Sequence, residues 1–399
     1  MAPRVVGGPG ARSWGVPIRR AWRSGGGPRG SEDRARPRTR PRLVTHVTKG
    51  PHWPYYGPMT GLAQRLSPPG SVPYPGNHLG LRWRPLISRD APAVYDLVRA
   101  VESADDAIHR TGAEGIADMV EGRGGEDWVD AIVGLDRNGS ISAVGCVRVV
   151  RGVSDSAIAI AIVSAYVHPH WRGRGLGRAL LHWQDGRARE MLVETYGPDS
   201  AIPASIANFV DAHMTDRRRL YIAAGFYAKR TLQVMYRDLE GSESAPRVRG
   251  GYTVVPWDRA LRDKARELHM EVSRDLFWSW NRARWWDDAV ASMERRWSFL
   301  ALDPGGAVVG YIVTERPAQR WVSTGRPEAG VSLVGVLPQH RGRSLCSALI
   351  GHSVAAASAS GMPRIGIEVD TRNPSNAHAI YEHLGFVDDA AEVFYVIDQ

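Results

Sequence analysis

Hydrophobic and polar positions follow the same order of patterns twice along this chain of 399 residues. In the first pass, residues 81–86 alternate like an opening strand, and residues 91–104 place hydrophobic side chains at helical spacing. A hairpin centred on 136–139 follows, because the turn sequence Asp-Arg-Asn-Gly lies between two strand-like runs. A strand over 157–167 then leads into a helix over about 175–191.

The second pass repeats this order. It predicts, in turn, a strand at 252–255, a helix at 258–274, a hairpin around 303–306, a strand at 331–336, a helix to about residue 360 and a strand at 364–369. An internal repeat of this length indicates two copies of one structural unit. The expected fold class is α/β, mixed and of the α+β type, with two tandem units that each have a central twisted sheet and helices on both faces.

The predicted domain boundaries follow changes in composition. Residues 1–78 are rich in Arg, Pro and Gly without helical or strand periodicity, which predicts a disordered leader. We expect the first domain at 79–240, a polar linker at 241–251 and the second domain at 252–399. Two other interpretations of the leader stay open: an organellar transit peptide, and an incorrect start codon with Met59 as the true first residue.

Positive charge is concentrated in the leader. It holds twelve Arg and one Lys against Glu32 and Asp33, while the whole chain has a net charge of +9, so the remainder is nearly neutral. Because no domain-wide basic surface is predicted, we expect no nucleic-acid partner, and a tether through the leader is the alternative. Cys146 and Cys346 are too few for a disulfide framework, and no apolar run approaches the roughly 20 residues that span a bilayer. A cytoplasmic protein without membrane contact is expected.

In both copies, a strand ends in a Gly-rich turn that opens a helix. Val167 is followed by His-Pro-His-Trp-Arg-Gly-Arg-Gly-Leu-Gly, and Val336 by Leu-Pro-Gln-His-Arg-Gly-Arg-Ser-Leu-Cys. Such a turn directs main-chain N–H groups and the positive end of a helix dipole at one point, which suits a pyrophosphate. A plain packing turn would need the same glycines, but two copies in matching contexts favour a binding site. The chain contains no P-loop sequence, no His-Glu-x-x-His and no Cys-x-x-Cys, so no metal is predicted.

A second signature, Tyr-x-x-x-Gly-Phe, begins at Tyr221 and again at Tyr381. Together with the Arg-x-x-Gly-x-Gly turn that begins at Arg172, it resembles the Gcn5-related N-acetyltransferase family. The tandem arrangement is similar to that of the two-domain actinobacterial members, the mycothiol synthases among them. The resemblance covers about 80–239 and 252–399 and does not identify an acceptor.

The resemblance implies transfer of an acetyl group from acetyl-CoA, or a related acyl-CoA, to a primary amine by direct attack on the thioester. Main-chain amides of the two turns would bind the CoA pyrophosphate, and the preceding strands would pair with pantetheine. The positions that this implies at the cofactor are Val167, Arg172, Gly173, Arg174, Gly175, Leu176 and Gly177 in the first copy, and Val336, Arg341, Gly342, Arg343, Ser344, Cys346, Asn373 and Asn376 in the second.

The resemblance also implies catalytic roles. Tyr221 and Tyr381 match the tyrosine that protonates the departing thiolate, and Glu328 lies on a strand face where the family's general base can lie. The structural alternatives are an aromatic residue that closes a helix end and a solvated acid at a strand end. Since residues 193–211 show neither a fifth strand nor an asparagine motif, whereas the second copy retains Asn376, we expect chemistry in the second copy. A non-catalytic acyl-CoA-binding protein is the alternative function.

A dense group of aromatic residues lies between 277 and 297, with Phe277, Trp278 and Trp286 among them. Aromatic clusters of this kind usually belong to a core or a domain interface. An aromatic wall of the acceptor cleft is the alternative.

Overall fold

A computed structural model describes residues 60–122, 127–150, 158–318, 320–321 and 325–399, without the Trp280 side chain. These residues form one mixed sheet of twelve strands with helices on both faces, which confirms the predicted fold class. The strands are β1 Arg82–Pro85, β2 Trp128–Leu135, β3 Ile141–Val149, β4 Ala159–Val167, β5 Ala204–Asp211, β6 Tyr227–Asp238, β7 Thr253–Pro256, β8 Phe299–Leu302, β9 Val308–Glu315, β10 Ala329–Val336, β11 Arg364–Asp370 and β12 Val387–Asp398. The α-helices are α1 Leu62–Leu66, α2 Ala91–Ala104, α3 Ala113–Glu121, α4 Leu176–Tyr196, α5 Thr215–Ala223, α6 Arg262–Val272, α7 Arg282–Ser292, α8 Leu345–Ala359 and α9 Ala377–His383.

The two halves of the chain exchange their last strands. The strand order is β1-β2-β3-β4-β5-β12-β6-β11-β10-β9-β8-β7. Strand β12 of the second half pairs antiparallel with β5 of the first, while β6 of the first half pairs antiparallel with β11 of the second. Strands β6 and β12 also pair with each other. The two sheets expected from the repeat are therefore one continuous sheet.

Helices cover the two faces of this sheet in a regular way. Helices α4 and α8 pack on what we call the back face, and α2, α3, α6 and α7 pack on the front face. Because strand side chains alternate between faces, Ile206 and Val210 of β5 point to the back, whereas Ala207 points to the front. Among the described residues, no helix has the length and apolar character needed to cross a membrane.

On the front face, each half sends a connection onto the strands of the other half. The segment after α2 places Ile108 against Val234 and Tyr236 of β6, which lies among the strands of the second half. The segment between α6 and α7 places Trp278 against Ala207 of β5 in the first half. The front face of each half is thus completed by the other half.

The prediction that order begins at residue 79 is wrong. Helix α1 places Leu62 and Leu66 in the core that α4 covers, and both side chains are fully buried. The Arg65 guanidinium donates to the main-chain carbonyl of the last residue over 2.7 Å. A helix of five residues is too short to show periodicity, so tertiary burial holds this segment instead. The rest of the predicted leader, residues 1–59, lies outside the described residues.

The prediction that residues 193–211 contain no fifth strand is also wrong, because β5 occupies Ala204–Asp211. Most of its residues are buried, since the strand is central and both its faces are covered by helices or crossing segments. A strand of this kind lacks the clean alternation of a half-exposed strand.

Candidate active site

In each half, the central pair of parallel strands separates partway along its length. Strands β4 and β5 pair only as far as Ile162 and Ala207, although β4 continues to Val167. Strands β10 and β11 pair only as far as Val331 and Ile367, and β10 continues to its end without a β11 partner. Each separation leaves main-chain N–H and C=O groups that an extended ligand can pair with. We call these openings the first and second splay.

The Gly-rich turn of the first half lies at the end of the first splay. Gly173 and Gly175 have φ values of 75° and 87°, and α4 begins at the next residue, Leu176. A left-handed backbone at these positions favours glycine, because a side chain would be strained there. The turn leaves the first N–H groups of a 21-residue helix pointing outward, which is the arrangement that binds anions. Gly177 faces Leu220, and a Cβ added to Gly177 would lie 3.3 Å from the Leu220 side chain.

The second turn has the same backbone shape with a different sequence. Gly342 has a φ of 75°, and Ser344 has a φ of 58° at the position equivalent to Gly175. A left-handed serine costs roughly 1–2 kcal/mol compared with an unstrained backbone. Cys346, which replaces the last glycine of the motif, is half-buried, and burial raises the pKa of its thiol to about 11. The seat for an anion is therefore preserved in shape at the start of α8.

The arginines of the two turns make equivalent contacts. The Nε of Arg172 donates to the carbonyl of Val167, and the Nε of Arg341 donates to the carbonyl of Val336, both over 3.2 Å. Arg172 also makes a bidentate ion pair with Asp105 at 2.5 and 3.0 Å. These two arginines fix each turn to the end of its strand.

Arg174 and Arg343 lie against aromatic rings instead. The Arg174 guanidinium is 4.5 Å from the ring centre of Trp171, and that of Arg343 is 5.4 Å from the ring centre of Tyr252. These stacking contacts hold the two side chains beside the turns, where their charge adds to the positive potential of the helix end.

Both tyrosines lie on the back face, and both are buried. The Tyr221 hydroxyl is hydrogen-bonded to the Asn208 side-chain amide, and burial raises the pKa of Tyr221 to about 12. Burial also raises the pKa of Tyr381 well above its ordinary value, with a further contribution from the neighbouring Cys346. Each hydroxyl therefore keeps its proton at neutral pH.

Asn208 is a site residue that the sequence patterns did not reveal. It is the first residue of β5 beyond the last pair with β4, so it lies at the start of the first splay. No asparagine motif surrounds it, and only the backbone path brings it to Tyr221. A central strand without alternation gave no signal for its position.

The two predicted asparagines of the second half lie in the connection from β11 to α9. Asn373 accepts hydrogen bonds from the main-chain N–H and the hydroxyl of Ser375, at 3.0 and 2.8 Å. Asn376 adopts a φ of 53° and precedes the first residue of α9. Both residues shape this turn, and their contact with a cofactor stays a prediction.

Glu328 is held in a buried ion-pair cluster at the beginning of β10. Its carboxylate oxygens lie 2.6 Å from Arg320 and 2.5 Å from Arg364, and the Glu328 residue is only 1% exposed. The Arg364 guanidinium also lies 4.3 Å from the ring centre of Tyr236. Burial raises the pKa of Glu328, while the two guanidinium groups oppose this rise and occupy both carboxylate oxygens. Proton uptake by Glu328 would break this cluster, so the geometry argues against the predicted role as a base.

A β-bulge lies at the second splay. Val331 pairs with Thr314 and Leu333 pairs with Val313, which leaves Ser332 as an extra residue on β10. A bulge removes one N–H from the strand ladder and redirects the side chain. The equivalent strand of the first half, β4, pairs with β3 without any shift in register from Ala161 to Val167. At the second splay, but not at the first, a bulge therefore removes one main-chain N–H from the strand ladder.

Two carboxyl groups that the sequence patterns missed lie on the front face near this bulge. Glu315 ends β9, accepts a 2.6 Å hydrogen bond from Ser292, and has its pKa raised to about 7 by burial. Glu368 is the first residue of β11 beyond the last pair with β10, and burial raises its pKa to about 7 as well. Strand pairing, and no local motif, brings these two acids together, so no sequence pattern indicates either one.

The aromatic group predicted as core or interface has that role. Trp278 packs with Phe277, Phe209 and Phe394 on the front face of the first half. Trp286 is fully buried against α6 and β9 in a separate cluster. The first cluster fills the front of the first splay, where Ala207 lies beneath it.

A groove lies along the long back-face helix of each half, α4 in the first and α8 in the second. The first has a volume of about 270 Å³ and lies between α4 and α5, where Arg178 and His182 line it. The second, of about 630 Å³, lies at the equivalent position along α8, where Gly351 and Val354 line it. Within the described ranges, no group of three or more His, Cys, Asp or Glu residues is arranged to hold a metal ion.

Two family models match the chain, one in each half. The model described as "Acetyltransferase (GNAT) family" matches residues 262–386, and that described as "Acetyltransferase (GNAT) domain" matches residues 131–229. Both halves are thus acetyltransferase units by sequence as well as by fold. The chain belongs to the Gcn5-related N-acetyltransferase (GNAT) family and is an N-acetyltransferase.

Relatives and solved structures agree with the tandem arrangement. The mycothiol acetyltransferase of Thermobifida fusca is 25% identical over 334 residues, covering 78% of this chain and 95% of the relative. That of Thermobispora bispora is 27% identical over 235 residues, covering 57% and 73%. A GCN5-related N-acetyltransferase from Sphaerobacter thermophilus superposes with a TM-score of 0.58 at 23% identity, over 80% of this chain and 95% of that one. A tandem GNAT protein from the clavulanic acid biosynthesis pathway gives 0.56 at 20% identity, over 80% and 98%.

Proposed function

We propose that this protein transfers an acetyl group from acetyl-CoA to a primary amine, and that the reaction takes place at the second splay. The observation that carries this proposal is the bulge at Ser332. It frees a main-chain N–H at the point where β10 separates from β11, which is where a thioester bound along β10 would present its carbonyl. A donor fixed in that place stabilises an oxyanion without having to reorganise.

The reaction follows from this arrangement. The amine nitrogen attacks the thioester carbonyl from the front face, and the carbonyl oxygen becomes an oxyanion beside Ser332. Collapse of the tetrahedral intermediate breaks the carbon–sulfur bond and forms the amide. The departing thiolate takes a proton from Tyr381, and a front-face carboxylate takes the proton that the amine loses. Glu368 fits the second role better than Glu328, because it lies at the splay and outside the Glu328 ion-pair cluster.

The first half is proposed to bind a cofactor without turning it over. Its Gly-rich turn is intact, and its splay has Asn208 and Tyr221 at the back. However, β4 has no bulge, and Trp278 and its aromatic neighbours fill the front of the splay. An acceptor therefore has no approach to a thioester at this site.

Calorimetry with acetyl-CoA on three variants tests the two cofactor seats. Gly175→Glu and Gly342→Glu each put a side chain and a negative charge where a pyrophosphate should lie, so each should remove one binding site. Gly361→Glu is a matched control, because Gly361 has a φ of 78° with open space around it, like Gly342, but follows the end of α8. Of the three variants, only Gly342→Glu should abolish thiol release with a panel of primary amines.

Two outcomes would contradict the proposal. Loss of turnover in Gly175→Glu with normal turnover in Gly342→Glu would place the reaction in the first half. Tight binding of acetyl-CoA without turnover of any amine would favour a non-catalytic acyl-CoA-binding protein, for which the strained Ser344 is the supporting observation.

A further inference from the structure

The front face of the second splay is completed by a segment of the first half. The main-chain N–H of Ile108 donates to Asp211 over 2.7 Å, and Ile108 packs on β6. At the other end of the segment, the carboxylate of Glu102 accepts hydrogen bonds from the N–H and the hydroxyl of Thr111. These contacts fix the connection between α2 and α3, and with it the position of His109, over the strands of the second half.

His109 lies between two carboxyl groups that come from different strands. Its Nε2 is 3.6 Å from Glu392 Oε2, and it interacts electrostatically with Glu368. Glu368 belongs to β11 and Glu392 to the exchanged strand β12, with β6 between them. Two strand spacings of about 4.8 Å put the two backbones roughly 10 Å apart, with the imidazole between the side chains.

This cluster contains a buried carboxyl oxygen without a hydrogen-bond partner among the described residues. Glu392 is 4% exposed, and its Oε2 has no hydrogen-bond partner among the described residues. Asp211 lies opposite Glu392 on the neighbouring strand and raises the pKa of Glu392 further, in addition to burial. A buried carboxyl oxygen that lacks a donor is costly unless a ligand supplies one.

Among the described residues, the cation that interacts with Glu368 is Arg320, which is shared with another acid. The groups that interact with Glu368 are His109, Glu392, Arg320 and Glu315, and the Arg320 guanidinium is bound to Glu328. Burial lowers the pKa of His109 to about 4, so the imidazole is neutral at pH 7. Glu368 and Glu392 instead have raised pKa values. In the absence of a ligand, burial therefore favours the protonated form of both acids.

We infer that this composite face of His109, Glu368 and Glu392 binds the acceptor, and that the acceptor carries a second positive charge besides the reacting amine. The inference rests on the proposed function and narrows its substrate class to diamines and related polycations. Glu368 faces the reacting amine at the splay, while Glu392 binds the second ammonium group. Binding of the dication displaces protons from the carboxyl groups, and no covalent step is involved.

Calorimetry of the full chain with three probes of equal length tests this inference. The probes are 1,4-diaminobutane, butylamine and 1,4-butanediol, each titrated at pH 7 in phosphate and in Tris buffer. The diamine should bind at least about tenfold more tightly than butylamine, a difference of about 1.4 kcal/mol, and the diol should not bind. The heats in the two buffers should differ in the direction of proton release for the diamine.

Two variants locate the effect. Glu392→Gln should bring the diamine to within about threefold of butylamine, and His109→Lys should weaken the diamine at least tenfold, because a built-in ammonium group would occupy the site. Glu294→Gln is the control, since Glu294 forms an ion pair with Arg316 outside this cluster and should change nothing. Acetyl-CoA affinity checks that each variant is folded.

Equal affinity for diamine and monoamine, or proton uptake in place of release, would overturn the inference. So would unchanged discrimination in both His109→Lys and Glu392→Gln. If acetyl-CoA binds and a monoamine is acetylated as fast as the diamine, the proposed function stands while this inference fails. If no amine is turned over but the diamine still binds selectively, the inference stands while the proposed function fails.

Discussion

Replacing Glu328 by glutamine separates a structural role from a catalytic one. In the protein, Glu328 is 1% exposed and neutralises Arg320 and Arg364, which are 4% and 3% exposed. Glutamine keeps the shape of the side chain but removes the charge, so two buried guanidinium groups lose their common counter-ion. Removal of one member of a buried ion pair typically costs about 3–5 kcal/mol.

That cost is a large part of the stability of an ordinary protein, which is about 5–15 kcal/mol. With a urea dependence of about 1–3 kcal/mol per molar, the unfolding midpoint should fall by at least about 1 M. The turnover number per folded molecule should change by less than about threefold, because the carboxylate is engaged away from the splay. Urea unfolding followed by tryptophan fluorescence, and initial rates measured well below the transition, give the two quantities.

Asp130→Asn is a suitable control for this experiment. Asp130 pairs with Arg187 at 2.6 Å, but its side chain is 33% exposed, so the variant should lose no more than about 1 kcal/mol. A structural role for Glu328 is refuted if Glu328→Gln keeps its unfolding midpoint and loses turnover by a hundredfold or more. That result would restore Glu328 as the base.

Two further predictions concern catalysis and the N-terminal segment. In steady-state kinetics, Tyr381→Phe should lower kcat by about 10²–10⁴-fold with little change in acyl-CoA affinity. Tyr221→Phe should lower kcat by less than about threefold. The reverse result would assign chemistry to the first half. Leu66→Ala should lower the free energy of unfolding by about 2–5 kcal/mol, because the Leu66 side chain is fully buried in the core under α4. Ile222→Ala is the control and should not lower it, because Ile222 is exposed. Equal, small effects of both variants in urea unfolding would show that α1 contributes no core packing.

Much of the local structure could be predicted from the sequence, because local patterns determine it. The helix expected at 91–104 has those bounds in the structure, and the two Gly-rich turns open α4 and α8 as expected. In these segments one face is buried and the other is solvated, so hydrophobic spacing reports the element directly. The turn sequences add a second local signal, since left-handed backbone at Gly173 and Gly342 favours glycine.

The parts that the sequence did not reveal depend on contacts between distant segments. Strand β5 is covered on both faces, and Leu62 is buried by α4 more than a hundred residues away, so neither has a local pattern. The same holds for the candidate site. Glu368 and His109 are separated by most of the chain, and only the exchange of β6 and β12 brings them to one face. A bulge such as that at Ser332 depends on the register with β9 and has no sequence signature here.

The exchange of strands explains why a repeated sequence produces two unequal sites. Each half has the same order of elements, but the front of each splay is closed by the connection that arrives from the other half. In the first half that connection carries Phe277 and Trp278, which fill the face with aromatic rings. In the second half it carries Ile108 and His109, which leave acids of two strands around a neutral imidazole. Differences in the two crossing segments, together with the bulge at Ser332, therefore distinguish the proposed cofactor site of the first half from the proposed acceptor site of the second. Because β6 and β12 each complete the sheet of the opposite half, neither site would survive separation of the halves at the linker. The proposed asymmetry in function is consequently a property of the whole chain, and a matched exchange of the crossing segments would change the front faces of both splays.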